Sequence, residues 1–288
     1  MSIIINPEIR NTSDLPFHTD DAPGDRIVFV EEKMFSQSEF YIMGRRVNGV
    51  PERQIDYVYD HKHNCNSFHI FIGDNEDLTG LNSNMNVEGK SYELQSPSTF
   101  FIPANLLHHY KLTKGNGWFF NIILSGDFNK SLVINKNTEL LLHSTPKENL
   151  YKRAEKNFKK VSDSERPLTS SVDSIINPSR WIFVDPNMIV HPGAYIALHQ
   201  ISSDKAFQYC MKLHHHKSDE VYILLGRNNS ELEIDLIDGN LRRRLKSPIA
   251  IYHPRYSDHR YEYVSGEGLI LIVLKESIPG EGYKFILA

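Results

Sequence analysis

His214-His215-His216-Lys217-Ser218-Asp219-Glu220-Val221-Tyr222-Ile223-Leu224-Leu225-Gly226 is the stretch from which the fold can be read. On an extended chain alternate side chains share a face. His214 and His216 therefore point one way and His215 the other. Glu220 has the parity of the first two and follows a short polar break, Lys217-Ser218-Asp219. Two imidazoles and a carboxylate converging on one point make a divalent-metal donor set. A His-rich surface strand or a tag remnant would give the same three histidines. The run is internal, however, and leads into Val221-Tyr222-Ile223-Leu224-Leu225, a strand entering a core.

The pattern occurs twice. Arg26-Ile27-Val28-Phe29-Val30 aligns with Arg180-Trp181-Ile182-Phe183-Val184, His61-Lys62-His63 with His214-His215-His216, and Gly73 with Gly226. Farther on, Ser96-Pro97 aligns with Ser247-Pro248, Pro103 with Pro254, His108 with His259, and Gly115-x-Gly117 with Gly266-x-Gly268. The offset drifts only from 154 (26 to 180) through 153 (61 to 214) to 151 (108 to 259). A repeat of this kind organises a chain before any other argument applies. Each copy is a series of short apolar strands separated by turn signals such as Asn48-Gly49, Glu88-Gly89, Asp238-Gly239 and Ser265-Gly266. Many short, evenly spaced strands predict a sandwich or barrel, with an interior wide enough for one small ligand.

His-x-His-x3-Glu followed by Pro-x4-His, in a unit of about 100 residues, resembles the cupin superfamily, here as a two-domain bicupin. The resemblance covers Arg26 to about Lys275, outside the connecting segment. It departs from the family pattern at Gln208, where the first motif usually opens with Gly. It departs again at Tyr256, where the second motif usually has Pro-x-Gly, and at Tyr263, often Asn. The implied fold is all-β: tandem jelly-roll β-barrels with a partly helical connecting segment. The expected domains are an N-terminal arm, 1–24; a first barrel, 25–127; the connecting segment, 128–179; and a second barrel, 180–288. The resemblance implies that His214, His216, Glu220 and His259 bind one metal inside the second barrel.

In the first barrel His61, His63 and His108 remain, but Ser67 stands in place of Glu220. Three neutral imidazoles would leave a divalent ion its full charge. A metal site, a metal-free pocket and a degenerate structural copy all stay open for this barrel. His69 shares the parity of Ser67 and could add a nitrogen, whereas His109 should face away. His18, in the arm, reads as a surface residue. In the second barrel Gln208, Cys210 and Lys212 continue the His214/His216 face, and Tyr222, Tyr261 and Tyr263 would line the pocket. Glu220, Tyr222 and Tyr261 are the candidate catalytic residues, and Asp258 could orient an imidazole. Asn137–Leu142 and Lys147–Lys160 read as helical pieces, the second with Leu150, Ala154 and Phe158 at spacing four.

The chain has 288 residues, a net charge of −4 and 40% hydrophobic residues, enough for two ordinary cores. No basic run marks a nucleic-acid partner. No apolar stretch is long enough for a membrane helix, and the start does not read as a secretory signal. Two cysteines, Cys65 and Cys210, make no disulfide framework. These features predict a cytoplasmic homodimer that binds a small molecule, with neither nucleic acid nor membrane as partner. With Fe(II), such a site would be a dioxygenase acting on a small chelating substrate. With Zn, Mn or Ni it would be an isomerase or lyase, and without turnover a binding or storage protein. One divalent metal per chain is expected, Fe first, with a second possible in the first barrel.

Overall fold

A computed structural model describes residues 1–52, 56–133, 150–153, 155–156, 179–185, 188–189, 192–201, 213–227, 230–276 and 285–287. Among them the chain is nearly all strand, in antiparallel sheets. It divides into two compact units, Pro7–Arg153 and Met1–Asn6 with Ala154–Ala288. The segment expected as a single arm is therefore shared between them.

The first unit is built on one long sheet. Its strand order is Tyr151–Arg153, Ser98–Ile102, Ser67–Gly73, His108–Ile123, Tyr41–Asn48, Arg26–Val30 and Glu8–Arg10. The hairpin Leu81–Val87/Lys90–Gln95 joins the other half of the long His108–Ile123 strand. That hairpin turns on Glu88 and Gly89, whose φ values of 50° and 73° suit the tight turn that matches strand twist. Leu81–Val87 alternates buried and half-buried residues, as a strand with one covered face must, while Ser67–Gly73 is buried throughout. Phe71, Phe100, Tyr110, Phe119 and Met85 lie in the core between the sheets.

The second unit repeats this order with Ile3–Ile5, Ile249–His253, Glu220–Gly226, Gly268–Lys275, Ala194–Ile201, Ser179–Val184 and Glu155–Lys156. Its second sheet runs Leu241–Lys246, Glu233–Asp238, His259–Ser265, His214–His216, Phe285–Leu287. The two copies agree in register: Ser67 faces Ile102, and Glu220 faces His253. Each also has a cis peptide at the aligned Ser-Pro, Ser96-Pro97 and Ser247-Pro248.

Part of the helix expected over Lys147–Lys160 is strand instead. Tyr151–Arg153 pairs with Ser98–Ile102, and Glu155–Lys156 with Ser179–Val184. Backbone pairing to an open sheet edge outweighs a weak local helix preference. Leu150 is buried in the first unit's core, while residues 147–149, 154 and 157–160 of that segment, Asn137–Leu142, and Gln208, Cys210 and Lys212 lie outside the described residues. Residues Phe128–Ser131 form a short helix, with Asp127 accepting from the Lys130 amide at 3.1 Å.

Candidate metal centres

The two His-x-His segments sit on short extended stretches, and each lies across from the late histidine of its own barrel. His61 bridges His108, and His214 pairs with His259. Cross-strand partners point to the same side, so three imidazoles meet in each barrel. Ring centroids of His61–His63, His61–His108 and His63–His108 lie 5.1, 4.5 and 5.6 Å apart. Those of His214–His216, His214–His259 and His216–His259 lie 5.1, 4.5 and 6.1 Å apart. In each trio one ring nitrogen per residue lies within 4.8 Å of the others, and all six rings are buried.

Loop geometry holds these strands. In the position where a Pro-x-Gly motif would place glycine, Asn105 and Tyr256 adopt φ values of 67° and 62°. The Asn105 amide donates to the His63 carbonyl at 2.6 Å, and the Tyr256 amide to the His216 carbonyl at 2.8 Å.

Hydrogen bonds fix the tautomers. A backbone carbonyl can only accept, so an imidazole nitrogen bonded to one carries the proton. His61 Nδ1 donates to the Tyr59 carbonyl at 2.8 Å, His108 Nδ1 to that of Leu106 at 2.9 Å, and His259 Nδ1 to that of Ser257 at 2.9 Å. His63 Nδ1 lies 2.8 Å from Ser131 Oγ, whose own hydrogen goes to the Phe128 carbonyl at 2.6 Å. Ser131 therefore accepts from His63. In the first barrel all three Nε2 atoms present lone pairs to one another. Burial and neighbouring imidazoles hold His63 down at about 2 and His108 well below the usual histidine range. Three converging neutral lone pairs in a dry site fit a metal ion.

In the second barrel Glu220 joins the trio. Its carboxylate lies 3.0 Å from His259 Nε2 and 3.6 Å from His216 Nε2, and it is 1% exposed. Burial alone would raise its pKa, but His216 and His259 together hold it below the usual carboxylate value. Tyr222 and Tyr261 are buried beside it, their rings 6.1 and 6.0 Å from His259. This donor set also fits a divalent ion, with one negative charge among its ligands. Tyr263 is half-buried, and its hydroxyl donates to the Gly266 carbonyl at 3.1 Å.

Several expected roles fall elsewhere. His69 is outside the first trio, with Nδ1 3.3 Å from Met85 Sδ. His18 is not on the surface: it is buried, its ring 5.2 Å from His61 and 5.5 Å from Phe128, because the arm bridges Val58 there. Asp258 orients no ligand. It pairs at 2.7 Å with His215, which faces away from the trio as strand parity requires. His109 likewise turns outward to Asp60 at 2.7 Å.

The sequence reading missed His253. It faces Glu220 across the sheet, is 2% exposed, and stacks on His259 at 3.8 Å with planes 13° apart. One ligand atom of His253 falls within 4.8 Å of those of Glu220 and His259. The signal was available in the repeat, since a histidine stands where the first copy has Ile102.

The sequence matches no family model and no curated protein. Solved structures do resemble it. AerE from Microcystis aeruginosa is 12% identical with a TM-score of 0.56, over 94% of this chain and 98% of that one. A Bacillus subtilis oxalate decarboxylase, described through its Mn(II) centres, is 14% identical with a TM-score of 0.58, over 100% of this chain and 79% of that one. A Lactobacillus farciminis oxalate decarboxylase in complex with formate is 15% identical with a TM-score of 0.55, over 97% and 88%. At such identities the likeness is one of fold.

Proposed function

From the bicupin fold that this chain shares with those structures, we propose that its second barrel is a metal-dependent enzyme site for a small, oxygen-rich organic acid. His214, His216, His259 and Glu220 would hold the ion. A divalent metal there supplies Lewis-acid polarisation of a carboxylate or carbonyl oxygen, and one-electron chemistry if it is redox-active. The protein's share is charge, shape and dryness. Three neutral imidazoles and one carboxylate leave one formal positive charge, which favours an anionic substrate. Tyr222 and Tyr261 present rings and hydroxyls to it. Glu220 is either a permanent ligand or a base when displaced. The observation that carries the reading is the buried His259 Nε2 lying 3.0 Å from the Glu220 carboxylate, with His214 and His216 beside them.

For the reaction, we favour a lyase, such as a decarboxylase. The oxalate decarboxylases of like fold, one described through Mn(II) centres, support it. The Fe(II) dioxygenase expected from the sequence has no such support. The first barrel's three-histidine set would take a second ion.

Elemental analysis of protein purified without a histidine tag tests the metal. Metal-free protein reloaded with Mn(II) or Fe(II) and offered short dicarboxylic and 2-oxo acids tests the reaction. CO2 release without net oxygen consumption supports the lyase. Stoichiometric oxygen uptake with Fe(II) transfers the assignment to an oxygenase. Bound metal with no turnover makes the protein a binding module.

A further inference from the structure

Two arginines lie inside the first barrel. Arg26 and Arg45 stand directly opposite each other on neighbouring strands. Arg45 has the strand parity of Tyr41, Met43 and Val47, and Arg26 that of Val28, all of them core residues, so both side chains turn inward. They are 3% and 0% exposed. Arg26 Nη2 donates to the Tyr41 hydroxyl at 3.1 Å. Both arginines act on the buried hydroxyls of Tyr41 and Tyr110, opposing the upward push that burial gives their pKa values.

The other partners of the two guanidiniums are neutral too. Arg26 Nη1 donates to the Asn11 carbonyl at 2.6 Å, and Arg45 to the Gly24 carbonyl at 2.8 Å and to Thr12 Oγ1 at 2.7 Å. Nε of each arginine is buried with no hydrogen-bond partner. The carboxylates in the neighbourhood are engaged elsewhere, Glu31 with Arg10 and Asp20 with Ser13. Like charges opposite each other on a sheet repel, and a buried charge without a counter-charge is costly. An anion between the two arginines removes both costs.

The second barrel supplies a contrast. Arg180 aligns with Arg26, His199 with Arg45 and Glu220 with Ser67, and Arg180 again stands opposite His199. Burial above all holds His199 neutral, at about 3. These three positions therefore carry two positive charges in the first copy and one charge of each sign in the second.

We propose that the first barrel is a receptor for a small doubly charged oxyanion, a short dicarboxylate or a phosphate, gripped between Arg26 and Arg45. Guanidinium forks match paired oxygens of this kind. A small barrel has room for one small ligand. Asn11, Thr12 and Gly24, all from one arm, fix the forks and leave both Nε–H groups for the anion. The site needs no metal, so it stands or falls separately from the histidine trios.

The test is calorimetric titration of the full-length protein, stripped of metal by chelation and desalted, with malonate, phosphate and chloride at constant ionic strength. One equivalent of malonate or phosphate should bind, at least tenfold more tightly than chloride, and the tighter of the two names the source. Arg45→His, which copies the second barrel, and Arg26→Met should each weaken it about tenfold or more. Arg45→Lys, which keeps the charge and loses the fork, should fall between the native protein and Arg45→His. Arg180→Met, in the other barrel, should change nothing. A merely structural role for the pair, fastening the arm, would give no saturable binding to the native protein, and that result would overturn the receptor even if the arginine variants fail to fold. Chloride bound as tightly as the oxyanions, or affinity that survives Arg45→His and is lost in Arg180→Met, would overturn it as well.

Discussion

His259 Nε2 and Glu220 Oε2 face each other at 3.0 Å, while His259 Nδ1 donates to the Ser257 carbonyl. A buried carboxylate that close to an imidazole needs a ring proton or a metal ion to join them. Glu220→Gln should therefore weaken metal binding in the second barrel by at least the 10–100-fold that loss of an orienting partner costs, on the order seen for metal sites. The melting temperature of the metal-free protein should fall, since the fold holds this carboxylate charged against His216 and His259 and the substitution removes that attraction. Calorimetric titration and thermal melts of the same variant check both outcomes. Undiminished affinity would mean that the carboxylate is no ligand.

Ser131 should matter to the first barrel alone. It fixes the His63 tautomer by accepting from Nδ1 while donating to the Phe128 carbonyl. Ser131→Ala frees the ring and leaves its proton unpaired. Metal affinity of the first trio should fall about 10–100-fold, with the second barrel unaffected. Site-resolved titration, with the second barrel emptied by His214→Ala, measures it.

Acid should destabilise the metal-free protein well before ordinary carboxylates titrate. Burial above all, then nearby positive groups, hold His69 and His199 at about 3 and His63 at about 2. The unfolded chain binds these protons near pH 6.5, the folded chain only far below. Between those limits the unfolded state carries more protons, so stability falls as pH drops from about 6.5 toward 3 and is flat above about 7. Melts in chelator at a series of pH values should show this slope, and His69→Phe should reduce it.

Tyr256 is a bulky residue at φ 62°, 60% exposed, in a loop whose amide holds the His216 carbonyl and whose ring meets that of His215 edge-on. A left-handed conformation costs such a residue about 1–2 kcal/mol. Glycine adopts it freely but loses more entropy on folding. Tyr256→Gly should raise stability by about 0.5–1 kcal/mol. Denaturant unfolding of the two proteins decides the sign.

What was legible in the sequence was whatever follows from parity and repetition. His61, His63, His108 and their counterparts needed only strand alternation and an aligned Pro-x4-His. The repeat marked His253 only as a departure from Ile102, because its place opposite Glu220 is a register that no local pattern states. His253 ends the apolar run Ile249-Ala250-Ile251-Tyr252, where a buried strand was the natural reading. Ser2 was hidden further, since it meets His253 from 251 residues away. His18 was misread because the arm's polar composition describes its length and not the one side chain it turns inward. The strand at Tyr151–Arg153 formed against helical spacing, since an edge partner is invisible in one dimension.

Ile3–Ile5 completes the sheet of the unit that otherwise begins at Ala154. A gene cut between the repeats would therefore not yield two working halves. The piece starting at Ala154 would expose the Ile249–His253 strand as a bare edge, ready to recruit other chains, and would leave His253 without its serine. A circular permutant that carries Met1–Asn6 on a linker after Ala288 is the form in which that half could be studied by itself.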